Sequence, residues 1–543
     1  MKARIVIAMR LACMVMLIGL TLSPLGPARP IAAPLHLPPQ VGEAATRASF
    51  QVASQAIPQA QAGIAGSQVA ISATQMLRDK GDGSPPTPIK EVALSGQETS
   101  TTFLTPPSNA PRPFTDVVPH FSGSVPPGAR VEIDLRFSSD GQTYGDWQPA
   151  SLEDVADPER DNAGEFYGSL VSVPPTTNPD GTTSPAHAQY AQARLRLSAS
   201  TPGKGPRVTQ FSFDFIDVPP SASQPNLSGD PSIAGRPPLV KRSDWGAPAT
   251  SANWPPVYAP VSHIIIHHSG TGASSDWAAQ VRALWYYHAY VRGWGDIGYN
   301  YLIDPLGNIY EGRAGGPDVA GSHTYPFNYG SVGIALLGNY QYSDLPAAML
   351  DSLSKLLAWQ VKQHGIDPQG NANFSGELVC GILVNVSRPN IAPARDFAGS
   401  GCGQTSNGSV SPGDKAIAAL PALRKNVAAA LPLYGATFLR HDTPSQMKTG
   451  ATYNVNLTVR NSGSLIWHAT PVAPTPTLSP NGGGGQGRGQ VRLGYRWSDA
   501  NGNLLPIQDQ RTSLPRDIPF GATVNLYANV TAPRVAGSYT LTL

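Results

Sequence analysis

Hydrophobic residues recur with two different spacings along the chain, and the changes of spacing divide it into blocks. VEIDLRFSSDG, ARLRLSAS and VTQFSFDFID alternate apolar and polar residues between positions 131 and 217. A period of two is typical of strands with one buried face, so these segments predict a β-sandwich at 91–218. Such a block serves as a spacer or, alternatively, as a module that contacts carbohydrate or a cell wall.

The block at 239–432 mixes both spacings. HIIIHH at 263–268 predicts a buried strand, and SVGIALLGNY at 331–340 predicts another. SSDWAAQVRALWYYH has helical spacing after a Ser/Asp cap, and DLPAAMLDSLSKLLAWQVKQHG predicts a helix that ends at Gly365. We therefore expect a mixed α/β domain, in which helices flank a central sheet.

Period-two patterning returns at 433–543, where TYNVNLTVRN, TVNLYANVTAP and GSYTLTL predict an immunoglobulin-like sandwich. The chain stops within the last of these strands at Leu543, as a truncated sequence would. Residues 34–90 are rich in Ala, Pro, Gln and Ser and predict a linker or propeptide with one short helix, and 219–238 predicts a second linker. A multidomain chain is expected, with β-sandwich domains on both sides of the α/β domain.

The first 33 residues have the organisation of an export signal. Lys2, Arg4 and Arg10 form a positive region, LACMVMLIGLTL is apolar, and PIAA offers small residues for cleavage. Twelve apolar residues are too few to span a bilayer, so we expect removal rather than anchoring. No later run of the sequence suits a transmembrane helix, so the mature chain is predicted to be secreted and to have no membrane span.

The charge excludes one class of partner. The formal charge is +2, and it becomes −2 once the four positive residues of the first 33 are removed. No basic face of the kind that nucleic acid requires is visible, so no nucleic-acid partner is expected.

The cysteines of the mature chain form a single pair. Cys13 lies within the predicted signal, which leaves Cys380 and Cys402. In an oxidising compartment two such cysteines most simply form a disulfide. A free thiolate that binds a metal is the alternative.

Two short segments of the central block carry candidate chemistry. HIIIHHSG places a histidine pair at the end of a strand, and IAPARDFAGSGCG follows later in the block. KRSDWGAP, HIIIHHSG, RGWGDIGYNYLIDPLGNIYEGRAGG, AGSHTYPFNYGSVGIALLGNY, QHGIDP and SPGDKAIAALPALR resemble, in the same order, motifs of the peptidoglycan recognition protein and type 2 amidase family. The resemblance covers residues 239–432, and the enzymes of that family are N-acetylmuramoyl-L-alanine amidases.

The resemblance implies a cofactor and a site. Active members bind zinc through a histidine after the first strand, a second histidine in a GHRD-like segment and a cysteine beyond it, which leaves one position for water. By position, His267 matches the first ligand, and Tyr299 matches a tyrosine that assists the chemistry in active members. His323 and Asn328 match a segment that lines the substrate groove.

The other two ligand positions depart from the family pattern. The segment ARD at 394–396 keeps the RD of the family's HRD, but Ala394 replaces the histidine, and a methyl group cannot bind zinc. The family cysteine aligns either with Cys402, eight residues after Ala394, or with Ser411, which precedes PGD as in the family's CPGD. The second alignment is preferred, and it leaves Cys402 to bridge Cys380.

Two further histidines are possible substitutes for the missing ligand. His268 is expected on the opposite side of the strand from His267, and His364 lies near a helix end. Neither is expected to restore the site, so zinc binding should be weakened or absent.

Two hypotheses follow. The first is a secreted, cell-wall-associated protein that binds peptidoglycan or muramyl peptides through an amidase-type fold with an incomplete zinc site. The alternative is a zinc-dependent N-acetylmuramoyl-L-alanine amidase with a rearranged site, in which His267 and Cys402 hold the metal and Tyr299 assists at the carbonyl.

Overall fold

Strands dominate the structure. The computed structural model describes residues 2–6, 63–153, 164–222, 227–228, 235–247, 256–379, 382–398, 410–432, 434–469, 490–506 and 511–543. Within these ranges the α-helices are α1 (Arg242–Trp245), α2 (Trp277–Tyr286), α3 (Ala347–His364) and α4 (Asp414–Ala430). Shorter helical turns lie at Ala73–Gln75, Tyr287–Val291 and Ala394–Phe397. None of the helices in the described part of the chain has the length and apolarity needed to cross a bilayer.

Two antiparallel sheets near the start of the described chain form a sandwich. The first contains, in order across the sheet, Gln148–Ala150, Ala129–Ser138, Ala188–Ala199, Ser100–Leu104, Leu77–Asp79 and Thr87–Pro88, with Ser108–Phe114 also paired to Ala188–Ala199. The second contains Glu165–Tyr167, Asp116–Ser124, Arg207–Asp217 and Ala65–Ser72, and also Val171–Ser172 and Val92–Ala93. A small hairpin pairs Thr176–Thr177 with Thr183–Ser184. The sheets share one core, where Leu135 and Leu195 of the first meet Phe121 and Phe213 of the second.

The sandwich begins earlier than the sequence pattern indicates, so the linker predicted at 34–90 is wrong for its described part, residues 63–90. Ala65–Ser72 pairs along its whole length with Arg207–Asp217. Its sequence AGSQVAIS is built largely from small and polar residues, and only Ile71 is fully buried. Because so little apolar surface alternates in this strand, its period of two is hard to detect from sequence.

A seven-stranded mixed sheet forms the centre of the next block. Its strands, in order across the sheet, are Leu227–Ser228, Leu239–Val240, Ile309–Glu311, Tyr301–Ile303, Ser331–Leu336, His263–His268 and Ile391–Pro393. The last four of these run parallel to one another. Their carboxyl ends therefore meet at one edge of the sheet, where ligand sites of such sheets usually form.

The strand His263–His268 is buried at all six positions because both faces of the sheet are covered. Ile264 and Ile266 pack into the core that α3 and α4 share with the sheet. Ile265 points to the opposite face and packs with Phe327 and Phe397. A strand that is covered on both faces has a continuous apolar run rather than an alternating one, as HIIIHH does.

Helix ends are fixed by local sequence. The Asp276 side chain accepts a hydrogen bond from the Ala279 amide at 2.9 Å and caps α2. Gly365 ends α3 in the left-handed conformation, with φ of 70°. Beyond α3, Asn371–Val379 and Ile382–Pro389 form an antiparallel ribbon that leads into the edge strand Ile391–Pro393.

The C-terminal strands enclose a separate core. Ala436–His441, Thr452–Asn461 and Thr523–Thr531 form one sheet; Gln446–Lys448, Lys2–Val6, Ser538–Thr542 and Arg496–Ser498 form another; and Arg492–Leu493 pairs with Thr512–Ser513. Val455, Trp497 and Leu526 are buried between them. The strand Lys2–Val6 lies within the predicted export signal, most of which falls outside the described residues, and the signal stays a prediction.

The N-terminal sandwich packs directly against the central block. Val118, Leu170 and Ile216 of the sandwich share one buried cluster with Val281 and Leu284 of α2. All five side chains are at most 1% exposed. A dry apolar contact of this kind resembles the interior of a domain rather than a transient interface.

We predict that the packing of the central strand Ser331–Leu336 limits the stability of the central block. Replacement Leu336→Ala should lower the free energy of unfolding by about 2–5 kcal/mol, because a fully buried leucine leaves a cavity. The same truncation at Leu306, which is 65% exposed, should change it by less than about 0.5 kcal/mol. Calorimetric unfolding of the two variants checks this, and equal losses would contradict the assignment of the core.

Candidate functional site

A cleft opens at the carboxyl edge of the parallel strands. It is lined by side chains of the central block and by a second group from the N-terminal sandwich. The lining residues of the central block are His267, His268, Ser269, Gly270, Trp294, Tyr299, Ser322, His323, Thr324, Tyr325, Ala394, Phe397, Ala398, Val410 and Ser411. The empty space of the cleft, open solvent included, is about 770 Å³.

His267 lies at the floor of this cleft among polar and aromatic groups. Its Nε2 is 3.2 Å from Nδ1 of His323 and 3.1 Å from Oγ1 of Thr324. The ring centroid of Tyr299 is 5.2 Å from that of His267. The structure therefore brings together three of the residues predicted for the site, His267, Tyr299 and His323.

Ala394 and Ser411 line the same cleft as His267. Pro393 pairs with Ile266 in the sheet, so the chain delivers Ala394 to the sheet edge one residue later, next to His267. The amide of Arg395 donates to the Ser411 carbonyl at 2.9 Å, which joins the two segments. The Ser411 hydroxyl in turn accepts a hydrogen bond from the His268 amide at 3.2 Å.

The two substitute histidines have other partners. Nδ1 of His268 accepts a hydrogen bond from the Tyr340 amide at 3.1 Å. His364 lies 3.5 Å from the Asp318 carboxylate and is not among the described residues that line the cleft. His364 therefore cannot replace a ligand without a large movement.

Asn328 lies behind the cleft surface and holds the loop that forms part of it. Its side-chain oxygen accepts hydrogen bonds from the amides of His323 and Thr324, at 2.8 and 2.9 Å. Asn328 is not among the described residues that line the cleft. It fixes the loop that carries His323.

Burial controls the charge of the site. It lowers the pKa of His268 to about 3, with a further lowering by the Arg395 charge. Burial likewise lowers the pKa of His323 to about 3, aided by Arg313. The pKa of His267 is also held well below its ordinary value, and burial raises the pKa of Tyr299 far above the usual value of a phenol. The cleft thus presents neutral imidazoles and a neutral phenol at physiological pH.

The described side chains do not fit a tetrahedral zinc centre. His267 supplies one imidazole nitrogen, Ala394 supplies no donor, and Ser411 supplies a hydroxyl in place of a thiolate. Over the described ranges no group of three or more His, Cys, Asp or Glu side chains could hold a metal ion. Cys380 and Cys402, the predicted disulfide pair and the candidate thiolate ligand, lie outside the described residues.

Sequence reasoning missed one side of the cleft. Ser151, Leu152, Glu153 and Ser169 of the N-terminal sandwich line it together with the central block. No local motif marks these residues, since their place in the site depends on how the two blocks pack.

Comparisons with known proteins give matches that cover part of the chain. The sequence model of the N-acetylmuramoyl-L-alanine amidase family matches residues 257–395. The chain is 40% identical to peptidoglycan-recognition protein SC2 of Drosophila simulans over 132 residues, which are 24% of this chain and 70% of that protein. It is 38% identical to peptidoglycan-recognition protein LB of Drosophila melanogaster, covering 24% of this chain and 56% of that protein.

A mammalian protein and a solved structure are also similar to part of this chain. Peptidoglycan recognition protein 1 of Bos taurus is 36% identical over 124 residues, which are 22% of this chain and 64% of that protein. The structure of wild-type Drosophila PGRP-LB is 29% identical, with a TM-score of 0.26, and covers 33% of this chain and 90% of that chain.

We predict that the buried imidazoles make stability fall in weak acid. His268 and His323 have a pKa of about 3 when folded against about 6.5 when unfolded, so the unfolded state binds more protons below pH 6.5. Each should contribute stability that is complete above pH 6.5 and lost as the pH falls, at about 1.4 kcal/mol per pH unit. Chemical denaturation measures the free energy of unfolding at pH 7 and at pH 5. Between these two pH values it should fall by about 2 kcal/mol less in His268→Gln than in the wild type. Equal losses would mean that His268 is not held neutral.

Proposed function

Because the chain belongs to the family of peptidoglycan recognition proteins and type 2 amidases, we propose that it binds peptidoglycan through this cleft without hydrolysing it. Its ligand is a muramyl peptide, and the neutral floor around His267 is the surface that receives it. The relatives named above are called peptidoglycan recognition proteins, which supports the ligand class.

One observation carries the proposal. His267, Ala394 and Ser411 all line the cleft, and these are the positions that the preferred alignment gives to the three zinc ligands of active members. Only the first of them can donate a nitrogen or a thiolate to a metal. A site of this composition holds catalytic zinc poorly, because each ligand contributes strongly to affinity.

The polar groups of the cleft suit the uncharged, hydrogen-bonding groups of a ligand. His323 has a buried Nε2 for which the described residues provide no partner, while its Nδ1 lies 2.9 Å from the Thr324 hydroxyl. Tyr299 adds an aromatic face beside His267. Peptide and acetamido groups, which both donate and accept, match these neutral side chains.

We further propose that the chain is exported and acts at the cell wall. The two β-sandwich blocks would then be spacers or modules that contact the cell wall. The positive and apolar segments of the first 33 residues support export. Pairing of Cys380 with Cys402 remains part of this proposal.

We predict that filling the cleft abolishes binding. Ala398 lines the cleft, so Ala398→Trp should occupy the ligand's space and reduce co-sedimentation with insoluble peptidoglycan at least about tenfold. Ala500→Trp makes the same change on an exposed turn of the C-terminal block and should bind as the wild type does. Retained binding by the Ala398→Trp protein would place the ligand elsewhere.

We also predict that the zinc site can be restored. The wild-type protein should purify with little zinc and leave muramyl peptides intact, whereas Ala394→His combined with Ser411→Cys should bind about one zinc ion per chain. Metal analysis of the purified proteins measures this, and Ser411→Cys alone is the control that still lacks one ligand. Stoichiometric zinc and muramyl-peptide turnover in the wild type would instead establish the alternative, an active amidase.

A further inference from the structure

We propose that the N-terminal sandwich forms one wall of the ligand cleft, and that the Ser169 hydroxyl on this wall hydrogen-bonds the bound muramyl peptide. This inference rests on the proposed function and adds a second structural block to the same site. The binding site is then composite, and the family-matched block alone contains only part of it.

The wall consists of two backbone segments that pair with each other. The Ser169 amide donates to the Ser151 carbonyl at 2.7 Å, and the Glu153 amide donates to the Tyr167 carbonyl at 2.9 Å. Between these bonds, Leu152 and Gly168 form an antiparallel bridge. Ser151, Leu152, Glu153 and Ser169 therefore present a single ordered surface to the cleft.

A buried ion pair holds the wall against the central block. Nη1 of Arg292 lies 2.8 Å from the Glu153 carboxylate, and the Tyr287 hydroxyl donates to the same carboxylate at 2.9 Å. The Arg292 guanidinium also lies over the ring of Tyr167, 4.4 Å from its centroid, and over that of Trp294, at 4.6 Å. The Arg292 side chain is only 2% exposed, so the Glu153 carboxylate of the wall compensates a guanidinium charge that is shielded from water.

A chain of hydrogen bonds gives the contact a second anchor near the cleft. Nε2 of Gln280 donates to the Ser172 hydroxyl at 3.0 Å, and Ser172 donates to the buried Asp116 carboxylate at 2.6 Å. On the other side, Oε1 of Gln280 accepts from Thr271, whose hydroxyl lies 2.7 Å from that of Ser269 in the cleft lining. The ion pair and this hydrogen-bond chain are two separate contacts that hold the sandwich wall against the central block.

Ser169 reaches the floor of the cleft directly. A Cβ atom placed on Gly270 would lie 3.0 Å from Ser169 Cβ and 3.1 Å from its Oγ. Gly270 also has φ of 69°, a conformation that favours glycine. The absence of a side chain at Gly270 thus lets the wall approach the segment that follows the histidine pair.

The Ser169 hydroxyl is the unused group on this wall. Ser169 is 3% exposed, and in the described structure its Oγ is buried without a hydrogen-bond partner. Burying a hydroxyl without a partner is unfavourable, and a ligand that supplies the partner recovers that cost on binding. Because a hydroxyl both donates and accepts, amide groups of a stem peptide or of an acetamido sugar can pair with it.

The test compares two serines of the same sandwich. Ser67 also has a buried hydroxyl with no partner among the described residues, but it does not line the cleft. Titration calorimetry of the full chain with a soluble muramyl pentapeptide should show about three- to tenfold weaker binding for Ser169→Ala. Ser67→Ala should bind as the wild type does, and both variants should keep the wild-type unfolding temperature, since neither loses an internal hydrogen bond.

The outcomes separate this inference from the proposed function. Wild-type affinity in Ser169→Ala would reject the role of the wall while the proposed function stands. An equal loss in Ser67→Ala, or a loss that follows a lower unfolding temperature, would also reject it, because affinity would then reflect general damage to the sandwich. If the wild type binds no muramyl peptide, both proposals fall.

Discussion

Parallel pairing of one buried strand determines the geometry of the whole site. His263–His268 lies between Ser331–Leu336 and Ile391–Pro393, and its register to both neighbours is set by backbone hydrogen bonds. A shift by one residue would turn its isoleucines out of their two cores, which makes the register costly to change. The side chain of His267 and the start of the Ala394 turn are consequently delivered to the same sheet edge.

Burial at this edge has an electrostatic consequence that suits both hydrogen bonding to a ligand and metal coordination. The low pKa of His268 and His323 keeps their imidazoles neutral, as a zinc ligand must be. Neutral nitrogen alone does not make a centre, because a cation also needs several donors that converge on one point. Ala394 supplies only a methyl group to the cleft, which is why we propose amides and hydroxyls, rather than a metal, as partners of the neutral side chains.

Sequence patterns predicted elements that depend on a few neighbouring residues. They failed where distant segments of the chain pack together. The run HIIIHH predicted its strand because a buried strand depends on a few neighbouring residues, and the resemblance of ARD and SPGD to family motifs indicated Ala394 and Ser411. The strand Ala65–Ser72 was missed because small residues give it almost no hydrophobic period. The wall that contains Ser169 could not be predicted, since it is generated by packing between blocks rather than by a motif.

Packing between the sandwich and the central block determines which residues line the cleft. The Arg292–Glu153 pair is buried at this contact, and removing one partner while the blocks stay packed would leave the other charge without compensation. A ligand that contacts the floor and the wall together, as proposed, would stabilise that arrangement through its contacts with both blocks. The N-terminal sandwich thus supplies Ser151, Leu152, Glu153 and Ser169 to the lining of the cleft, which a spacer alone would not do.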